Sequence, residues 1–303
     1  MYVLDKYEDA NNHIPYCAAL GSFDGVHLGH QQIIKSMIRK SKELNARSLV
    51  YTFNIHPKTV LNPNVTTPLI TSNEKRIEVL KNFNLDFLYL ENFSNISTMT
   101  PEDFVKDILV GLFKVKHLFV GYNYHFGYKS TGNSDRLVEL GQKYGFGVDV
   151  FSPIIINEHV VSSSLVRSLI ANGEVEKVKD FLGRDYSIIG SVVYGKQIGK
   201  RIGVRTANIS IDKNFIIPRN GVYFTTSVIN GGVYKSLTNV GINPTFKGSS
   251  LNIETHLLDF DEDIYGSNIE IFFSKRIRDE KTFESTEDLV KQINSDIKMR
   301  LNI

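Results

Sequence analysis

The spacing of apolar residues changes character once along this chain, near residue 183, and that change restricts it to a fold in two parts. Before residue 183, short apolar runs alternate with longer stretches of helical period. "YCAALGSF" (16–23) reads as a buried strand. "HQQIIKSMIRKSKEL" then sets Ile33, Ile34, Met37 and Ile38 on one helical face, with Lys35, Arg39 and Lys42 off it. The order repeats: strand "RSLVYTF", a helix near 74–83, strand "DFLYL", helix "TPEDFVKDILVGLF" with Thr100 as cap and Pro101 at its first position, and strand "KHLFVG". Helix "NSDRLVELGQKYG" and strand "VDVF" follow. Such alternation implies a parallel sheet covered on both faces, with ligands at the carboxyl ends of its strands.

After residue 183 the helical period disappears. "YSIIGSVVYG", "GVYFTTSVI", "GVYKSLTNVG", "SLNIETHLLDF" and "NIEIFFSKRI" are β-branched, aromatic and separated by Gly, Asn and Pro turns, as in an antiparallel barrel or sandwich. A last amphipathic helix, "ESTEDLVKQINSDIKMRL", carries Leu289, Ile293 and Ile297 along one face. "VEKVKDFLGRDY" reads as a helix ending at Gly183, so the boundary is set at 1–184 and 185–303. A length of 303 residues suits two cores. No internal repeat or low-complexity segment interrupts them.

Charge and cysteine content remove several classes. With 35 basic and 33 acidic residues the net charge is +2, too small a surplus to draw the chain to nucleic acid or an anionic membrane. Cys17 is the single cysteine, which excludes an internal disulfide framework and a multi-cysteine zinc site. "MYVLDKYEDANNHIPY" lacks the basic start and apolar run of a signal peptide, and no 18-residue apolar run occurs. A cytoplasmic protein acting on small anionic ligands, monomeric or weakly self-associating, is expected.

"GSFDGVHLGH" (21–30) lies where the first buried strand ends and the first helix begins. Free N–H groups and the helix dipole favour an anion there. Gly21, Gly25 and Gly29 admit close backbone approach to a phosphate, and His27 and His30 can each donate a hydrogen bond to phosphoryl oxygens in a transition state. Paired zinc ligands are the competing reading, but no third His, Cys or carboxylate stands at a telling spacing.

These ten residues closely resemble the HxGH signature of the nucleotidyltransferases related to class I aminoacyl-tRNA synthetases. The resemblance implies a Rossmann-like domain whose histidines contact a nucleoside triphosphate during in-line attack at the α-phosphorus. "VSSSLVRSLI" (161–170) is similar to that family's ISSTxIR segment, which implies Ser163, Ser164 and Arg167 as phosphate ligands. "VGYNYHFGYKSTGN" (120–133) is similar to a segment of the FAD synthetase branch, implying a nucleotide contact at Asn123 and a slot lined by Tyr122, Tyr124 and Phe126. "TFNIHPK" (52–58) resembles TFDPHP, with Asn54 and Ile55 in place of Asp and Pro. The same resemblance adds Gly21, Phe23, Asp24 and Gly29 to the nucleotide site.

The second half resembles the riboflavin kinase barrel that bifunctional bacterial FAD synthetases carry. "GKRIGVRTANI" (199–209) is similar to GRTLGFPTANI, and "PRNGVYF", "TNVGINPTF" and "NIETHLLDFDEDIYG" follow further segments. The resemblance implies Gly203, Thr206 and Asn208 at the ATP phosphates, Thr206 and Asn208 as Mg2+ ligands, and Glu254 as base for the ribityl 5′-hydroxyl. No Walker A sequence occurs, so the phosphates need another glycine loop, which Gly195, Gly199 and Gly203 supply. Two departures fall there: Arg205 stands where the resembled sequence has Pro, and Tyr194 where a histidine is frequent. The carboxylates Asp259, Asp261, Glu262 and Asp263 miss the alternating pattern of a calcium loop and read as a solvated turn.

The expectation is therefore an enzyme that phosphorylates riboflavin to FMN with ATP and adenylylates FMN to FAD, releasing pyrophosphate. Two alternatives stay open: an adenylyltransferase with a kinase impaired at Arg205, and a non-catalytic flavin or nucleotide sensor.

Overall fold

The computed structural model describes residues 1–7, 14–55, 57–61, 67–195, 204–212, 214–245 and 248–302. It divides into two compact units, Met1–Ser163 and Ser164–Ile303.

The first unit is a parallel sheet. Its elements are β1 (Tyr2–Leu4), β2 (Tyr16–Leu20), α1 (Leu28–Glu43), β3 (Arg47–Phe53), α2 (Pro57–Leu61), α3 (Asn73–Lys81), β4 (Phe87–Glu91) and α4 (Phe93–Ile96). A short α5 (Pro101–Asp103), β5 (His117–Gly121), the two-residue strands β6 (His125–Phe126) and β7 (Gly132–Asn133), α6 (Ser134–Tyr144) and β8 (Gly147–Phe151) follow, then the pair β9 (Ile155–Ile156) and β10 (His159–Val160). The main sheet runs β1-β4-β3-β2-β5-β8, every neighbour parallel.

Because β2 is fully buried, its alternate residues serve two cores. Tyr16, Ala18 and Leu20 join Tyr51, Tyr89, Phe104 and Phe113 on one face. Cys17 and Ala19 join Ile33, Ile34, Met37 and Leu88 on the other. The expected coverage of both faces is what these two clusters provide.

One expected helix differs in its winding. Thr100 caps it by accepting from the Asp103 amide, with Pro101 in the first turn, as expected. From Phe104 to Leu112, however, the backbone is a π-helix. The wider turn brings the Lys106 carbonyl to 3.1 Å from where a Gly111 side chain would begin, so glycine accommodates it. It keeps Phe104, Val105, Ile108 and Leu109 buried on one side.

The second unit starts with α7 (Ser163–Asn172), whose first residue belongs to the unit before it, and α8 (Val175–Leu182), which ends at a left-handed Gly183. Strands β11 (Tyr186–Val193), β12 (Ala207–Ser210), β13 (Gly221–Ile229), β14 (Gly232–Thr245), β15 (Gly248–Leu257) and β16 (Asn268–Arg278) close into an antiparallel barrel in the order β11-β12-β15-β14-β13-β16. The closed barrel, rather than a sandwich, is the outcome. Alternation sets its interior: Tyr186, Ile188, Gly190 and Val192 are the buried positions of β11.

The C-terminal helix Thr286–Leu301 is held differently from its apolar pattern. Leu289, Ile293 and Ile297 are only partly buried, whereas Asp296 and Arg300 are buried. Asp296 Oδ2 accepts from Arg278 Nη2 at 2.7 Å, and Arg300 donates to the Thr225 carbonyl at 3.0 Å.

Candidate active sites

The strand order explains why the first unit gathers its signatures where it does. From β2 the chain passes through β3 to β4 on one side, then returns to β5 on the other. The connections after β2 and β5 therefore leave in opposite directions, which opens a crevice at the carboxyl ends of the strands. The 21–30 turn follows β2, and Asn123 lies on the exposed turn after β5.

The turn is strained and firmly held. Phe23, Gly25 and Val26 have φ of 47°, 77° and 43°, and a β-branched residue at positive φ is a backbone outlier. Such strain persists only where surroundings over-determine it. Here the buried Asp24 carboxylate accepts from the Ile70 amide at 3.0 Å and the Thr71 amide at 3.2 Å, and Gly25 N–H donates to Thr71 Oγ1. Arg76 Nη1 donates to the Ser22 carbonyl at 2.9 Å and Nη2 to the Phe53 carbonyl. Asp24 thus engages backbone amides of the loop before α3, and Phe23 is buried beneath the turn.

His27 caps α1. Its Nδ1 accepts from the His30 amide at 3.3 Å, which puts the proton of the neutral ring on Nε2. The two imidazoles stack with centroids 3.6 Å apart and planes 14° apart. A side chain on Gly29 would begin 3.1 Å from the His27 ring, so the glycine between the histidines allows the stack. Phe23 lies against His30 at 5.0 Å. His30 Nδ1 is buried without a partner among the described residues. Burial first, then His27 and Arg76, hold the His30 imidazole well below the usual histidine range, so it is neutral at pH 7. A neutral imidazole of this kind hydrogen-bonds an entering anion rather than attracting it as a fixed charge.

Ser163 Oγ, at the end of the first unit, donates to the Asp24 carbonyl of the turn at 3.0 Å. Ser164 and Arg167 follow in the first two turns of α7. The three rings after β5 do not share a face: Tyr122 is half exposed, while Tyr124 stacks on the buried Phe126 at 5.6 Å. His56 lies outside the described residues.

In the barrel, antiparallel register sets Asn208 opposite Glu254 and Ala207 opposite Thr255. Thr206 Oγ1 is 3.4 Å from Glu254 Oε2, and Asn252 Nδ2 donates to Glu254 Oε1 at 2.9 Å. A cavity of about 290 Å³ at the barrel mouth is lined by Gly195, Thr206, Asn208, Thr255, Leu257 and Tyr265 among others, with Glu254 outside its lining. A side chain on Gly195 would collide with Asn208, so glycine lets the loop backbone lie against that amide. Gly199 and Gly203 lie outside the described residues. Arg205 pairs with Asp261, and its carbonyl bonds His256 Nδ1 at 2.6 Å. Asp263 Oδ1 accepts from the Tyr265 amide. Among the described residues no three His, Cys, Asp or Glu side chains group as a metal site.

Sequence reading missed Arg76 and Glu91. Arg76 looks like one charge of a solvated helix in "NEKRIEVLK", yet it is 7% exposed and burial pulls its guanidinium down to about 10. Glu91 is fully buried and accepts from the Tyr7 and Tyr51 hydroxyls, each at 2.6 Å. Each has one partner nearby in sequence, Asn73 for Arg76 and Asn95 for Glu91, but the partners that mark them as buried, Ser22 and Phe53 for Arg76 and Tyr7 and Tyr51 for Glu91, lie more than 20 residues away and leave no local signal.

Comparison with known proteins follows the same division. A family model described as FAD synthetase matches residues 9–165, and one described as riboflavin kinase matches 182–303. The chain is 34% identical to the bifunctional riboflavin kinase/FMN adenylyltransferase of Bacillus subtilis (strain 168), over 92% of this chain and 89% of that one. It is 32% identical to the enzyme of the same name from Buchnera aphidicola subsp. Schizaphis graminum (strain Sg), over 93% and 91%. A crystal structure described as a macrolide-efflux protein from Streptococcus pneumoniae superposes with a TM-score of 0.91 at 28% identity, covering 100% of this chain and 99% of that one. Among the described residues no helix is long and apolar enough to cross a membrane.

Proposed function

The chain belongs to the family of FAD synthetases joined to a riboflavin kinase, and from that membership we propose that it makes FMN and then FAD, each with ATP. The observation that carries the first site is the stacked His27–His30 pair, with its unpartnered buried nitrogen, on the turn that Ser163 joins. Residues 1–184 are the adenylyltransferase and 185–303 the kinase, a division supported by a kinase family match that begins at residue 182.

In the adenylyl transfer a phosphate oxygen of FMN attacks the α-phosphorus of ATP and the bond to pyrophosphate breaks. His27 and His30 donate hydrogen bonds to the charge that grows on the triphosphate. Ser163, Ser164 and Arg167 hold the departing pyrophosphate. Gly21, Phe23, Asp24, Gly29 and Asn123 shape the nucleotide site, Asp24 acting through the turn it holds.

In the kinase the riboflavin 5′-hydroxyl attacks the γ-phosphorus of ATP, ADP leaves, and Glu254 takes the hydroxyl proton. Thr206 and Asn208, with Gly203, hold the phosphates. The oxygen donors of Thr206, Asn208 and nearby Glu254 suit a hard cation, so Thr206 and Asn208 would hold Mg2+, which neutralises phosphate charge. The enzyme works in the cytoplasm on small molecules, without nucleic acid or membrane, as a monomer or weakly associated.

The test incubates the protein with Mg2+ and ATP, adding riboflavin to one sample and FMN to another, and separates the flavins by chromatography. FMN and FAD from riboflavin are expected. FAD from the FMN sample alone would mean a kinase silenced at Arg205, and no turnover in either, with flavin bound, would mean a sensor.

A further inference from the structure

Alternation along the barrel strands sets one row of polar side chains on the outer face. Thr238 and Val240 of β14 and Ile253 and Thr255 of β15 are buried inside, so Asn239 and Glu254, which stand opposite each other between them, point outward. Asn208 of β12 stands opposite Glu254 on its other side, next to the buried Ile209. The row therefore runs from Asn208 through Glu254 to Asn239 across three neighbouring strands, and all three residues are partly exposed.

A carboxylate from beyond β16 extends the row. Asn239 Nδ2 donates to Glu280 Oε1 at 3.3 Å. A side chain on Gly241, two positions along β14 on the same face, would collide with that carboxylate, so the glycine makes the place that Glu280 occupies. Glu280 is exposed, and its carboxylate can accept hydrogen bonds from an entering molecule.

The kinase reading fixes where the acceptor substrate lies along this row. Thr206 and Asn208 hold the phosphates at one end, and Glu254 takes the proton of the 5′-hydroxyl. In phosphoryl transfer the attacking and leaving oxygens are roughly in line, so the body of the nucleophile extends away from the departing ADP. On the side of Glu254 away from Asn208 stand Asn239 and then Glu280. Neighbouring strands are about 4.8 Å apart, a span within the length of a five-carbon ribityl chain.

We propose that Glu280, seated by Asn239 and Gly241, accepts hydrogen bonds from the secondary hydroxyls of the ribityl chain and so selects a polyhydroxylated flavin over one with a plain alkyl chain. Glu280 is then a specificity residue of the kinase unit, and the proposal rests on the kinase reading above. A hydroxyl bonded to an ionised acceptor makes one of the stronger hydrogen bonds available, whereas an alkyl chain gains nothing from the carboxylate.

The test compares riboflavin with a flavin whose N10 substituent is 5-hydroxypentyl, which keeps the terminal hydroxyl and lacks the other three. In phosphorylation by the full chain, Glu280→Ala is expected to lower kcat/KM for riboflavin about tenfold, as for loss of one hydrogen bond to a charged group, and to leave the pentyl flavin and the KM for ATP within about twofold of wild type. Gly241→Ala, which displaces the carboxylate without removing it, is expected to show the same selective loss. The proposal is overturned if Glu280→Ala affects both flavins equally or neither, if it raises the KM for ATP instead, or if Gly241→Ala keeps the wild-type preference. A wild-type protein that phosphorylates neither flavin fails the kinase reading. Flavin affinity by fluorescence quenching then replaces kcat/KM: loss of the preference for riboflavin in Glu280→Ala supports the ribityl contact, and an unchanged preference overturns it.

Discussion

His30 is a partly buried, neutral imidazole whose Nδ1 is enclosed, and its protonation links the first site to stability. Its pKa in the folded chain is lowered, so the unfolded chain binds a proton that the folded chain refuses. Above the unfolded value of about 6.5 the two states carry the same charge and nothing is lost. As pH falls below about 6.5 the unfolded state gains protons first and stability declines, by at most about 2 kcal/mol at pH 5. His30→Gln is expected to lose less stability than wild type between pH 8 and pH 5 in urea unfolding; equal losses would show that His30 carries none of this dependence. Arg205 poses a second question at this scale. Its ion pair with Asp261 is exposed, so it contributes about 0–1 kcal/mol and does not lock the loop as a proline would. Arg205→Pro is expected to keep or raise the rate of FMN formation, and a loss of more than about tenfold would show that the guanidinium itself is needed.

The elements differ in how openly the sequence announces them. Strands β3 and β13 coincide with the apolar runs that predict them, and α6 begins at Asn133 and ends at left-handed Gly145 as its cap residues require. The C-terminal helix is the instructive exception. Its 3.6-residue apolar stripe locates it, yet Asp296 is 1% exposed and bonded to Arg278, a contact between residues 18 apart that no periodicity encodes. Removing one partner of a buried pair leaves the other uncompensated, so Asp296→Ala is expected to cost about 3–5 kcal/mol in denaturant unfolding. A change under about 1 kcal/mol would mean that solvent reaches Arg278. The winding of Phe104–Leu112 was equally illegible, because a π-turn and an α-turn bury nearly the same apolar residues.

Across the whole molecule two chemistries belong to two family domains, one matched over residues 9–165 and the other over 182–303. His30→Ala is therefore expected to abolish FAD formation while FMN formation from riboflavin continues, so that FMN accumulates in a time course. Loss of both products from a folded variant would sink the two-site reading. The sequence by itself determined the two-part division, the parallel sheet, the antiparallel strands and the places of His27, His30, Ser163, Thr206 and Asn208, because periodicity and short signatures are local properties of a chain. Barrel closure, the burial of Arg76 and Glu91 and the amide partners of Asp24 were decided only by tertiary structure. Each depends on groups from distant segments meeting where water is excluded, and there a polar atom takes its role from the partners it finds.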